Sequence, residues 1–116
     1  MERTGKNKPA LVTSGVRIRK FFCINIEPTQ IEGGEWKWLQ VVLPPGGLKY
    51  EEIVSELVKL KYPENKMSEI INNYLNGSDK TDYLIMQAWR KESKSIAEEA
   101  IKYAIDNGLW EEPKDE

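Results

Sequence analysis

The stretch SDKTDYLIMQAWRKESKSIAEEAIKYAIDNG, residues 78–108, decides the fold of this chain, because its apolar residues recur at the spacing of one long amphipathic helix. At about 1.5 Å of rise per residue, this helix would be ~43 Å long, whereas a compact domain of this size is roughly 34 Å across. The helix must therefore break, or leave part of its apolar stripe for a partner. No catalytic motif accompanies it.

The apolar stripe of this helix is interrupted at its middle, since residues 91–95 contribute no apolar side chain. We predict that the half around Trp89 packs in the core of the domain. The half over residues 96–105 is then expected to overhang and meet a partner, unless the following segment folds back over it.

The ends of the long helix carry capping signals. Ser78 or Asp79 can accept hydrogen bonds from the first free backbone amides, and Gly108 suits a left-handed C-terminal cap. Beyond that glycine, Leu109 and Trp110 are expected to fold back as a hydrophobic latch.

Two strands are predicted upstream, over residues 16–26 and 36–43, separated by a Gly-containing turn at residues 32–35. The two-residue alternation of the first strand places Val16, Ile18, Phe22, Ile24 and Ile26 on one face, and Arg17, Arg19 and Asn25 on the other. Because the connection is short, we expect an antiparallel hairpin. A lone hairpin is marginally stable, so helices must pack on it.

Two short helices are predicted between the hairpin and the long helix. Residues 50–60 show an apolar face with a 3.6-residue period, and Pro63 prevents this helix from continuing. A second helix should begin near Glu64 and end at Gly77. The predicted fold is therefore α+β: an antiparallel β-hairpin packed against three helices (ββααα), the last one long.

The 116 residues suffice for one domain. We expect a disordered basic leader over residues 1–15, a single α+β domain over residues 16–108, and an acidic C-terminal tail over residues 109–116. The start lacks the apolar segment of a signal peptide. The expected location is the cytoplasm of a bacterial host, or the virion.

The composition argues against several kinds of chemistry. The chain has no histidine and one cysteine, Cys23, so the commonest general base, the usual metal ligand and any cysteine cluster are missing. Apolar runs are too short to span a bilayer. We therefore expect no enzymatic activity, no cofactor, no metal, no small-molecule ligand and no membrane insertion.

Protein contacts are the favoured mode of action, through a protein partner or self-association. Tryptophan and arginine are enriched at binding hot spots, and Trp36 and Trp38 share one strand face. The simpler interpretation is that these two rings cover the core against the helices. The candidate interface comprises Trp36, Trp38, Arg90, Ile96, Ala100, Ile101 and Ile105.

Nucleic-acid binding is the alternative function. The first twenty residues carry one acidic residue, Glu2, against six basic ones, and a basic arm can neutralise phosphates. The candidate contacts are Arg3, Lys6, Lys8, Arg17, Arg19 and Lys20. The acidic remainder of the chain favours a solvated leader instead.

Four segments together carry a resemblance: WLQVVLP at 38–44, YEEIVS at 50–55, IINNYL at 70–75, and MQAWR at 86–90. In these the chain resembles small proteins encoded in bacterial prophages among tail and tail-fibre genes, over about residues 22–105. The resemblance implies a phage or prophage setting and no mechanism. Together with the long apolar stripe and the missing catalytic groups, it favours a non-enzymatic structural or assembly protein. It implies no functional residue, because the shared segments are of the packing type.

Overall fold

The computed structural model describes residues 1–16, 20–45, 47–77 and 80–110. Within these ranges the chain forms four strands followed by three helices. The elements are β1 (Glu2–Gly5), β2 (Val12–Val16), β3 (Lys20–Gln30), β4 (Trp36–Val42), α1 (Tyr50–Lys61), α2 (Glu64–Leu75) and α3 (Thr81–Asp106). The fold is α+β, as the sequence predicts.

The strands form one antiparallel sheet in the order β1-β4-β3-β2. The β3–β4 hairpin is central, with Ile24 opposite Val41, and its register shifts between Ile26 and Thr29. Glu27 lies at this shift with a φ of 53°, as in a β-bulge. Because β1 and β2 are the two edge strands, the chain crosses from one edge of the sheet to the other between them.

The sheet corrects two predictions. Residues 1–15 are not a disordered leader, because they contain β1 and most of β2, which pair with the two edges of the hairpin. The strand predicted over residues 16–26 is in fact the end of β2 and the beginning of β3, so Val16 and Phe22 belong to different strands. The predicted hairpin β3–β4 is present, but as the centre of a four-stranded sheet.

All three helices lie on one side of the sheet. Helix α1 packs against α3 and β4, and the core combines strand residues such as Ile24 and Val41 with Ile53 and Leu57 of α1. Pro63 separates α1 from α2, and Gly77 follows α2 with a φ of 73°, as predicted. Helix α2 packs mainly against α3 rather than the sheet.

Helix α3 is continuous through residues 91–95, and its buried face consists mostly of small side chains. Trp89 is buried as predicted. Met86, which the sequence does not single out, is buried as well, and the same stripe continues through Ser93, Ala97 and Ala100. Small residues let helix backbones approach their neighbours closely. The C-terminal half of α3 is therefore packed in the core, and the prediction that residues 96–105 overhang was wrong.

Replacing Ser93 with alanine is expected to stabilise the protein by about 1 kcal/mol, because alanine is the better helix former and removes a buried unpaired hydroxyl. In the described part of the chain, Ser93 Oγ is buried and finds no hydrogen-bond partner. Urea denaturation followed by circular dichroism measures the change. Ser95→Ala, at an exposed position of the same helix, should give only the propensity gain, and a destabilised Ser93→Ala would contradict this account.

The end of α3 closes on the core. Gly108 has a φ of 69°, its amide donates to the Ile105 carbonyl, and the Leu109 amide donates to the Ala104 carbonyl at 2.8 Å, which together form a Schellman motif. Trp110 then packs edge-on against Phe22 with ring centroids 6.0 Å apart. The predicted latch is confirmed, so residues 109 and 110 belong to the domain. The rest of the predicted acidic tail lies outside the described residues.

Candidate binding surfaces

The sheet face that points away from the helices carries a hydrogen-bonded chain of side chains across all four strands. Arg3 Nε on β1 donates to Gln40 Oε1 on β4 at 3.2 Å, and Gln40 Nε2 donates to Asn25 Oδ1 on β3 at 2.9 Å. Asn25 Nδ2 donates to Thr13 Oγ1 on β2 at 3.1 Å and to the Ala10 carbonyl at 2.9 Å. Asn25 is buried, so these bonds satisfy a polar group that would otherwise be costly to bury.

Two aromatic rings flank this polar chain, each above a glycine of an edge strand. A Cβ on Gly15 of β2 would lie 2.6 Å from Phe21 Cζ, and a Cβ on Gly5 of β1 would lie 3.0 Å from Trp38 Cη2. Each ring thus fills the space that a side chain on the edge strand would occupy, which is how aromatic residues protect edge glycines. Both rings are half-buried.

Between the two rings lies a concavity of about 410 Å³, which we call the open-face groove. Its lining residues are Arg3, Thr4, Thr13, Ser14, Gly15, Phe21, Cys23, Trp38, Gln40 and Val42. Arg3 is the one charged residue among them. The simpler interpretation of Trp36 and Trp38, that they cover the core beneath the helices, was wrong, since the strand parity places both rings on this opposite face.

The predicted nucleic-acid contacts are divided between the two sides of the sheet. Arg3 lines the open-face groove, Lys6 is exposed in the β1–β2 connection, and Lys8 Nζ lies 5.8 Å from the centroid of the Trp36 ring. Lys20 lies elsewhere, with Nζ 5.2 Å from the Phe22 ring centroid and 3.5 Å from the Leu109 carbonyl oxygen. The other two predicted contacts, Arg17 and Arg19, lie outside the described residues.

A second concavity, of about 560 Å³, lies among the three helices. Apolar side chains of α1 and α2, including Val54, Met67 and Ile71, line it, and Arg90 of α3 contributes a guanidinium. We call it the helical groove. Arg90, a predicted interface residue, is exposed and lies at this groove.

Exposed apolar side chains concentrate where α2 turns into α3. In the described ranges eight large hydrophobic residues are exposed, and four of them lie within about two turns of this connection. These four, which we call the helix tip, are Ile71 (38% exposed), Leu75 (73%), Leu84 (64%) and Ile85 (54%). Tyr74 and Tyr83 stack beside them with centroids 4.0 Å apart, which joins the two helices there.

The predicted C-terminal interface residues are mostly inside the domain. Ala100 is fully buried in the core, so it is removed from the candidate interface. Ile96 and Ile101 are partly buried against the same core, and Ile105 is exposed. The apolar surface available to a partner is therefore at the N-terminal end of α3, whereas the sequence predicts a partner contact at its C-terminal end.

Among the described residues, no three His, Cys, Asp or Glu side chains are grouped so that they could hold a metal ion. Across the same ranges, no helix is both long and apolar enough to cross a bilayer. The chain matches no protein-family model, no curated protein and no solved structure.

Proposed function

We propose that this chain is a non-enzymatic structural or assembly protein, associated with a phage or prophage, that acts through protein–protein contacts at the helix tip. The observation that carries the proposal is the concentration of exposed leucine and isoleucine at one end of the α2–α3 pair. Clustered apolar exposure on a small domain is typical of an interaction site.

A second copy of the same chain is the partner that we propose. A two-fold dimer needs one self-complementary patch, and two helix pairs that meet tip to tip can bury their apolar residues as a four-helix arrangement. Ile71 belongs both to the helix tip and to the helical groove, so a partner helix could extend from one into the other. The phage setting rests on the resemblance of residues 22–105, and its test is detection of the chain in purified virions or tails.

Light scattering coupled to size-exclusion chromatography tests the proposed self-association. With increasing protein concentration, the wild-type mass should rise toward that of a dimer. Leu75→Glu should hold the protein at the monomer mass, because a carboxylate at the centre of the contact would be buried without a partner.

The matched control is Asn73→Glu, which adds the same charge at an exposed position of the same helix. It should leave the dimer intact. A wild-type protein that stays monomeric at every concentration, or a dimer that Leu75→Glu does not weaken, would contradict the proposal.

A further inference from the structure

We infer that the open-face groove binds single-stranded nucleic acid, with bases stacked on Phe21 and Trp38 and a phosphate held by Arg3. This surface lies on the opposite side of the sheet from the helices, so the inference is independent of contacts at the helix tip.

The charge of the groove fits an anionic ligand. Arg3 uses Nε to hold Gln40, and neither of its terminal nitrogens has a hydrogen-bond or ion-pair partner among the described residues. Among the described residues that line the groove, none is acidic, so none neutralises this guanidinium. Lys8 lies outside the groove, with Nζ 5.8 Å from the centroid of the Trp36 ring. An exposed guanidinium on a rigid strand suits a phosphate, to which it can donate two hydrogen bonds.

The rings of the groove fit unpaired bases. Phe21 of β3 and Trp38 of β4 lean outward over Gly15 and Gly5 of the two edge strands, and the concavity lies between the two rings. Aromatic side chains on a sheet bind bases by stacking, which requires the bases to be out of a duplex. A protein partner would be expected to meet a continuous apolar patch, whereas here a polar chain runs between the rings.

The floor of the groove indicates little base specificity. The Gln40 side-chain amide donates to Asn25, and that of Asn25 donates to Thr13, so both side chains are held in place by the sheet rather than presented to a ligand. Stacking on two rings and one phosphate contact is tolerant of sequence. We therefore expect binding of both oligothymidine and oligouridine, and the tighter of the two identifies whether DNA or RNA is the ligand.

Fluorescence anisotropy of labelled oligothymidine and oligouridine, titrated with the full chain at several salt concentrations, tests the inference. Both strands should bind at low salt, and a duplex of the same length should bind about tenfold more weakly because its bases cannot reach the rings. Arg3→Gln should reduce affinity about fivefold and lower the slope of log affinity against log salt by about one, as expected for one lost phosphate contact.

Phe21→Leu should reduce affinity about tenfold while keeping an apolar side chain over Gly15. Since Arg3 is exposed on an edge strand, Arg3→Gln gives a result even if Phe21→Leu proves unstable. Leu75→Glu at the helix tip should leave the affinity unchanged, which separates this site from the proposed dimer contact. Absence of binding at low salt, equal binding of duplex, or insensitivity to Arg3→Gln would overturn the inference.

Discussion

Replacing Trp89 with alanine is expected to lower the free energy of unfolding by about 4 kcal/mol, the range seen when a large buried aromatic side chain is removed. Trp89 is buried at the point where α1 meets α3, and its Nε1 donates to the Leu57 carbonyl at 2.9 Å. Lys61 Nζ lies 3.9 Å from its ring centroid and also pairs with Glu27 at 3.0 Å. Trp89 thus joins α3 to α1, and Lys61, which lies over its ring, joins this contact to Glu27 at the bulge of β3.

Trp89→Phe separates the two contributions of this ring. It keeps most of the apolar volume but removes the indole N–H, so a loss of about 1–2 kcal/mol is expected. Urea denaturation followed by far-ultraviolet circular dichroism measures both variants. A Trp89→Ala protein within about 1 kcal/mol of the wild type would show that this contact does not hold the helical layer together.

Replacing Gly47 with alanine is expected to cost about 3 kcal/mol, from backbone strain and overpacking together. Gly47 has a φ of 113°, a conformation that residues with a Cβ rarely adopt. An alanine Cβ there would also collide with the six-membered ring of Trp110. The thermal melting temperature and the urea midpoint should both fall.

Two controls assign the cost of Gly47→Ala to its causes. Gly34 in the β3–β4 turn has a φ of 81°, and a Cβ added there would meet no neighbouring atom within 4 Å, so Gly34→Ala should show the strain alone, about 1 kcal/mol. In a Trp110→Ala background, Gly47→Ala should cost less than in the wild type. Equal costs in both backgrounds would contradict the close packing of the latch on this loop.

Much of the helical layer is predictable from the sequence because its signals are local. The 3.6-residue period locates α1, α2 and α3, and Pro63, Gly77 and Gly108 mark their boundaries by backbone conformation. Strand β4 is predictable for a similar reason, since its aromatic and β-branched residues are bounded by a turn and two prolines.

The edge strands are harder to predict because their stability comes from elsewhere. Strand β1 has the sequence ERTG and no apolar alternation, and its pairing depends on the backbone of β4, more than thirty residues away in the chain. The hydrogen-bonded side chains of the open face could not be predicted from the sequence either, because Arg3, Asn25 and Gln40 meet only after β1, β3 and β4 are aligned.

The sequence predicts that the C-terminal half of α3 leaves apolar residues exposed, but the structure exposes them at the N-terminal end, and the error has a physical cause. Periodicity identifies the buried stripe but not which half of a long helix has a neighbour to pack against. Leucine and isoleucine bury more apolar area than alanine, yet Ala97, Ala100 and Ala104 are the residues that allow close approach to the core. The larger Leu84 and Ile85 are left exposed where only α2 accompanies α3.

Hydrogen–deuterium exchange, measured by mass spectrometry at low and high protein concentration, tests most directly whether the helix tip is the contact surface. Amides of residues 97–104 should exchange slowly at both concentrations, because they lie in the core. Amides of residues 71–75 and 81–85 should exchange faster in the dilute protein and gain protection as the concentration rises. Exchange at these tip residues that is independent of concentration would contradict the account.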